Sequence, residues 1–317
     1  MLENLYWRNY LKRHSLEAKP FLKWAGGKRQ LLNELESALP REIKEKREID
    51  IYIEPFAGGA SFFFYLKSNY SVKKAYLLDI NRDLMLCYRV IQSRVSELIE
   101  NLKKMEKEYL ELADSEREKK YYEVRTTFNI QKEEFDYTKL DKLAIQRVSQ
   151  VIFLNRTCFN GLFRENKKGS FNVPFGRYKN PKICDQDNIY SVNEALKNTI
   201  LMDGDFYSTK ELIEKGAVIY LDPPYKPLGK TSNFTNYSKD GFSDTDQERL
   251  AEYAKYAKSR NAFVIISNSD PQNTKITDTY FDKLYSTFKI KKVNAKRSIN
   301  SKATLRGNIK ELLITSY

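Results

Sequence analysis

Short apolar runs alternate along the chain with longer polar stretches in which apolar residues recur at helical spacing. Ile49–Phe56 (IDIYIEPF), Ala75–Asp79 (AYLLD), Ile200–Asp203, Ala217–Asp222 (AVIYLD) and Ala262–Ser267 (AFVIIS) read as buried strands. Between the last two, Leu250, Tyr253, Ala254 and Ala257 follow a helical repeat, and Asp244–Glu248 supplies acids where that helix should begin. Strand–helix–strand alternation predicts an α/β fold, a mostly parallel twisted sheet with helices on both faces. Arg82–Glu118 and Lys142–Leu154 are predicted helical, and few strands intervene before Ile200. Residues 82–182 therefore read as a mostly helical insertion between two halves of the α/β domain. Its loop-like end, Asn155–Lys182, is rich in Gly, Pro, Asn and basic residues. No internal repeat is visible, and the charge-dense stretches, such as Asn101–Lys120, pattern as helical surfaces.

At 317 residues the chain suffices for one large α/β domain or a catalytic domain with a smaller insertion. No segment approaches the roughly 20 apolar residues that span a bilayer. Met1–Pro20, with Glu3, Arg8, Lys12, Arg13 and Glu17, does not read as a signal peptide. Cys87, Cys158 and Cys184 are widely spaced and odd in number, and His14 is the only histidine. That usage suits a reducing cytosol and offers no metal site. The expected location is cytoplasmic, with no membrane partner.

The net charge of +13 is concentrated. Asn155–Lys182 holds seven basic residues against the single acid Glu165, and Lys289–Lys310 holds eight with no acid. The rest of the chain is close to neutral. An ordinary solvated surface intersperses both signs, so two basic blocks read as a footprint for a polyanion, nucleic acid ahead of an anionic membrane.

Three constellations carry candidate chemistry. In Glu54-Pro-Phe-Ala-Gly-Gly-Ala-Ser61, small residues at a strand end let the backbone approach a ligand and start a helix tightly. Asp79 ends the following strand, where a carboxylate can accept from ribose hydroxyls. The glycine pair alone fits a plain strand–helix junction. With the acid it points to a nucleoside-containing cofactor, and the spacing does not match the GxGxxG pattern of dinucleotide sites. The second is Asp222-Pro223-Pro224-Tyr225, also at a strand end. Two prolines fix the backbone and remove two amide donors, leaving a carboxylate and carbonyls, all acceptors, beside an aromatic face. Such a site suits an exocyclic amine on a flat ring, whereas a bare Pro-Pro would suggest only a rigid turn. The third is the block Asn155–Lys182, where Phe159, Phe163, Phe171, Phe175 and Tyr178 interleave with cations. An aromatic stripe of this kind is core as often as interface.

DPPY, with EPFAGG upstream and Phe21–Lys28 (FLKWAGGK) before that, resembles the amino-methyltransferases of DNA, in the order of parts of the alpha group. Asn160–Pro181 (NGLFRENKKGSFNVPFGRYKNP) and Arg297–Ser301 (RSINS) resemble the Dam type of the D12 class, which methylates N6 of adenine in GATC. The resemblance runs from about Phe21 to the C-terminus. It implies S-adenosyl-L-methionine as donor, S-adenosyl-L-homocysteine as product and no metal. Trp24, Lys28, Glu54, Phe56, Gly58, Asp79, Asp205 and Asp222 would bind the cofactor, Lys28 near its methionine carboxylate, Asp79 at the ribose and Asp205 at the adenine. Asp222, Pro223, Pro224 and Tyr225 would hold a flipped target adenine.

By the same resemblance, Arg164 would pair with a guanine, and Leu162 and Pro174 would lie against thymine or its neighbours. Phe159, where these enzymes often carry tyrosine, would insert beside the flipped base. Asn160, Lys167, Lys168, Arg177 and Arg297 complete the DNA-contacting set. The implied domains are 20–81 with 183–317 for catalysis and 82–182 for target recognition, with 1–19 as an extension. In that extension, outside the resemblance, Tyr6, Trp7 and Tyr10 with Arg8, Lys12 and Arg13 suit either contact with DNA or, the favoured reading, a surface helix. The expected partner is double-stranded DNA, near the nucleoid and in the setting of replication or of restriction-modification, with a cognate restriction enzyme left open. The chain is expected to be monomeric. Two rivals are N4-cytosine methylation in the same pocket and a DNA-binding relative without catalysis.

Overall fold

A computed structural model describes residues 17–225, 242–296 and 308–317 of the chain. In chain order its helices and strands are α1 (Leu32–Ser37), α2 (Arg41–Lys46), β1 (Glu48–Glu54), α3 (Ser61–Asn69), β2 (Ser71–Asp79), α4 (Arg82–Ser93), α5 (Val95–Glu111), α6 (Asp114–Gln131) and α7 (Lys142–Thr157). There follow α8 (Gln186–Ala195), β3 (Thr199–Asp203), β4 (Val218–Leu221), α9 (Asp244–Ser259), β5 (Phe263–Ser269), α10 (Tyr280–Leu284), β6 (Lys289–Lys296) and β7 (Asn308–Thr315). The fold is α/β, as the alternation predicts. The chain divides into a helical unit, residues up to Gly27 with Gly58–Ser68 and Asn81–Asp203, and a sheet unit, Lys28–Ala57, Asn69–Ile80 and Gly204 onward.

In the sheet unit six strands follow the order β2-β1-β4-β5-β7-β6. The run β2-β1-β4-β5 is parallel, and β7 and β6 close it with antiparallel pairings. All four residues of β4 are buried, the unbroken apolar run of a strand covered on both faces. α9 starts on a reciprocal cap: Ser243 Oγ accepts from the Asp246 amide at 3.1 Å, and the Asp246 carboxylate accepts from the Ser243 amide at 2.9 Å. The basic stretch Lys289–Lys310 contains an ordinary strand, β6. Lys291 pairs with Glu34 (2.8 Å) and Lys292 with Asp270 (3.0 Å), so part of that positive charge is neutralised within the protein.

In the helical unit the predicted Arg82–Glu118 stretch is broken. Asn81 caps α4 by accepting from the Leu84 amide, and the backbone leaves helical geometry at Arg94, φ −132°. α7 is buried along nearly its whole length, including Arg147. That guanidinium is held bidentately by Asp83 (Nε–Oδ1 2.6 Å, Nη2–Oδ2 3.0 Å) and also donates to Tyr137 and the Phe128 carbonyl. A buried cation persists only with such a full set of partners, and here the set ties α4 to α7. Cys87, Cys158 and Cys184 are free and buried. Among the described residues no helix is long and apolar enough to cross a membrane.

Candidate active site and recognition turn

Three carboxylates end three neighbouring parallel strands of the sheet unit. Asp79 ends β2, Glu54 ends β1, and Asp222 directly follows β4. Glu54 is level with Leu77, two residues before Asp79. The carboxyl ends of parallel strands are where open α/β sheets receive ligands. Glu54 is buried and accepts from the Tyr52 hydroxyl at 2.8 Å; burial first, then that carboxylate, pushes the Tyr52 hydroxyl well above its usual range. The Gly204 amide donates to the Asp79 carbonyl at 3.2 Å, which brings the turn carrying Asp205 to the end of β2. Asp205 caps that turn through the Tyr207 amide (3.0 Å) and pairs with Arg249 at 3.0 Å. Phe56 stacks on Phe206, ring centroids 5.3 Å apart.

Around Asp222 the arrangement is tighter. Lys28, only 6% exposed, places Nζ 3.0 Å from Asp222 Oδ1 and 4.5 Å from the centroid of the Tyr225 ring. Burial pushes the Asp222 carboxyl up to about 6; Lys28 opposes the shift, and the Glu311 carboxylate adds to it. Pro223 and Pro224 contribute no amide donor, and the Pro224 carbonyl faces Gln247 Nε2 at 3.5 Å. Gln247 is buried and accepts from Asn268 Nδ2 at 3.2 Å. The Tyr225 hydroxyl donates to Glu311 Oε2 at 2.7 Å. The result is a cluster dominated by acceptors, with one buried ammonium against the key carboxylate and an aromatic ring beside it.

The helical unit holds the basic block Asn155–Lys182 as a largely irregular segment. Asn160 (φ 59°) and Gly161 (φ 65°) lie in succession in the left-handed region, in a 3-10 turn, Phe159–Gly161, where the Gly161 amide donates to the Cys158 carbonyl at 3.1 Å. The Phe159 amide donates to the Pro174 carbonyl at 2.8 Å, so the two arms meet. Asn155 Oδ1 accepts from the Lys23 amide, and its Nδ2 donates to the Lys23 and Gly161 carbonyls. The aromatic stripe divides. Phe163 and Phe171 are core, while Phe159 (53% exposed) and Tyr178 face outward. Leu162 is half-buried, and Asn160, Lys167, Lys168, Pro174 and Arg177 are exposed. Arg164 Nε donates to Asn172 Oδ1 at 2.9 Å, and the Asn172 amide donates back to the Arg164 carbonyl. This occupies one of the five guanidinium donors. Glu165, the block's one acid, is paired with Lys132 of α6.

Trp24 links two motifs within this unit. Its indole stacks on Phe163 (5.0 Å, 22° between planes), and a Cβ added to Gly58 would lie only 3.0 Å from its Cδ1. Gly58, at φ +46°, is therefore required both by its backbone and by the ring above it.

Lys28, Glu54, Phe56, Asp79, Asp205 and Asp222–Tyr225 thus belong to the sheet unit, and Trp24, Gly58, Phe159, Asn160, Leu162, Arg164, Lys167, Lys168, Pro174 and Arg177 to the helical unit. Arg297, the RSINS motif and the aromatic and basic residues of 1–16 lie outside the described residues. Sequence reasoning missed Gln247, Arg249 and Glu311. Gln247 sits between acids in a helix start, and Glu311 is brought to Tyr225 from 86 residues away, so neither has a local signature.

Residues 24–299 match the family model of the D12 class N6 adenine-specific DNA methyltransferases. The chain is 49% identical to a type II methyltransferase, M.MjaIII, of Methanocaldococcus jannaschii, over 95% of this chain and 100% of that protein. It is 36% identical to the type II methyltransferase M1.LlaDCHI of Lactococcus lactis, over 98% and 99% of the two chains. Against a DNA adenine methylase of Haemophilus influenzae the identity is 34%, over 94% and 93%. With the acceptor cluster at the end of β4 and a family match over most of its length, the chain belongs to the D12 class of N6 adenine-specific DNA methyltransferases.

Proposed function

We propose that the chain transfers a methyl group from S-adenosyl-L-methionine to N6 of adenine within GATC, acting on a base turned out of duplex DNA. The observation that carries this reading is the Asp222–Tyr225 segment, with its carboxylate 3.0 Å from buried Lys28 and its two prolines lacking amide hydrogens. The donor set of the sheet unit suits an adenosyl-sulfonium cofactor. Its acids accept from ribose hydroxyls and an amino group, and Phe56 with Phe206 offers an apolar face for a flat ring. The excess of carboxylates also complements a cation.

When bound, the cofactor supplies an electrophilic sulfonium methyl. The chain's own residues prepare the amine that receives it. The N6 lone pair of adenine is delocalised into the ring, so the amine is a poor nucleophile. Asp222 and a proline carbonyl accept its two hydrogens and favour a pyramidal nitrogen with an available lone pair. Tyr225 stacks on the base, and Lys28 keeps the Asp222 carboxylate oriented. The contribution is positioning and electrostatics. Residues 20–81 and 183–317 serve the cofactor and the chemistry, and 82–182 reads the target. There Arg164 takes the guanine, Leu162 and Pro174 the neighbouring thymine, Phe159 the gap left by the flipped base, and Lys167, Lys168 and Arg177 the backbone.

The test is transfer of labelled methyl from S-adenosyl-L-methionine to duplexes with one GATC, followed by mapping of the modified base. Wild-type protein should label the adenine of GATC, and Asp222→Ala should lose on the order of 10²–10³ in rate with its circular dichroism intact. Label on cytosine N4 would refute the adenine assignment. Label on adenines elsewhere would remove GATC alone.

A further inference from the structure

Glu311 belongs to none of the motifs that mark this family in the chain, yet it touches the centre of the candidate site. It lies on β7, opposite Ser269 of β5, and its Oε2 accepts the Tyr225 hydroxyl at 2.7 Å. Leu312, Leu313 and Ile314 beside it are buried, so the strand itself is anchored by apolar packing. That packing has no need of a carboxylate at 311. Moreover, Glu311 raises the proton affinity of Asp222, so two like charges are held near one another with a single buried ammonium, Lys28, against Asp222. An arrangement that works against local stability and still orients a side chain of the site points to function.

Tyr225 is constrained from three sides. Pro223 and Pro224 restrict the backbone before it, Lys28 lies over its ring at 4.5 Å, and Glu311 fixes its hydroxyl. We propose that Glu311 is a positioning residue for methyl transfer, pinning the Tyr225 hydroxyl so that the ring keeps the plane on which the target base stacks. The inference rests on the reading of Tyr225 as that stacking platform. The C-terminal strand thereby takes part in the site, through a residue that never touches the base.

The experiment is a double-mutant cycle on single-turnover methyl transfer with a GATC duplex. Glu311→Ala and Tyr225→Phe should each slow transfer about ten- to a hundredfold, the range for a hydrogen bond to a charged group. The double variant should lose far less than the product of the two single losses, because both remove the Tyr225–Glu311 bond, while Tyr225→Phe alone also removes the hydroxyl's bond to Asp222. Glu311→Gln, which keeps an acceptor, should recover most of the rate. Cofactor affinity should stay put in all of them, and the thermal midpoint should not fall in step with the rate. Additive losses, an inert Glu311→Ala, or a fall in cofactor affinity parallel to the rate would overturn the positioning role. If Glu311→Ala fails to fold, the cycle is run with Glu311→Met at the same position, and the rescue by Glu311→Gln remains decisive. Tyr225→Ala separates the two levels. A large loss there, with none at Glu311→Ala, removes only Glu311; no loss at Tyr225→Ala removes the stacking platform itself.

Discussion

The side-chain amide of Asn129, on α6, grips both backbone groups of Phe171: Oδ1 accepts its N–H at 2.8 Å and Nδ2 donates to its carbonyl at 3.0 Å. One side chain thus does the work of a neighbouring strand. The same helix adds Tyr121 and Arg125, which donate to the Val173 carbonyl, and its C-cap residue Lys132 donates to the Gly169 carbonyl and to Glu165. These residues form one stripe along α6, and the arm of the turn opposite Arg164 rests on it.

Asn129→Ala should therefore loosen the turn. Two backbone groups of a buried residue lose their partners, at a cost of about 2–3 kcal/mol. Chemical denaturation would read this as a lower midpoint, and Asn129→Asp, which keeps only the acceptor, should fall between. An unchanged midpoint for Asn129→Ala would mean that water replaces the amide without loss.

The Asp222 carboxyl gives an opposed pH response for stability and activity. Its value in the fold, about 6, lies above the ordinary 3.8, so the folded state holds this proton more tightly than the unfolded chain. The resulting stabilisation is complete below about pH 4 and is lost as pH rises toward and through 6, by roughly 3 kcal/mol. In the proposed role Asp222 acts as the ionised carboxylate, so turnover should rise over the upper part of that window. Asp222→Asn should flatten the stability profile between pH 4 and 7 while slowing transfer by no more than the roughly 10²–10³ expected of Asp222→Ala. A wild-type profile equally steep in the variant would assign the titration to another group.

Recognition separates by residue. Arg164→Ala should cost about 1–3 kcal/mol on the cognate site and relax preference at the guanine. Lys167→Ala and Lys168→Ala, both exposed, should weaken all sequences alike and flatten the salt dependence. The assay uses duplexes substituted at the G of GATC, at two salt concentrations. Equal loss on every duplex for Arg164→Ala would reduce it to a backbone or structural contact.

The parts legible in the sequence are those in which one local stretch does one job. β1, β2, β4 and β5 lie within a few residues of their predicted places because buried parallel strands read as short apolar runs, and their terminal acids come with them. Helix breaks at Arg94 and before Asp114 carry no proline or glycine, so the long helical pattern runs across them. The basic block after Lys289 reads as a surface for a polyanion. Its lysines at 291 and 292 also have acidic partners, Glu34 and Asp270, far off in sequence. Glu311 and Asn129 escape for a related reason: each acts on a residue in another element, and pattern within an element says nothing of that.

Trp24 makes two loops answer to a single rotamer. Its indole cannot turn without opening space above Gly58 and withdrawing support from Phe163, the residue before Arg164. On the roles proposed for these two loops, free energy that the methyl donor spends or gains in settling the glycine loop should be felt by the arm that carries Arg164, and by reciprocity a cognate sequence should favour donor binding by the same factor. Selectivity in such an enzyme would belong to the ternary complex as a whole, with a wrong base registering as a looser grip on the methyl donor.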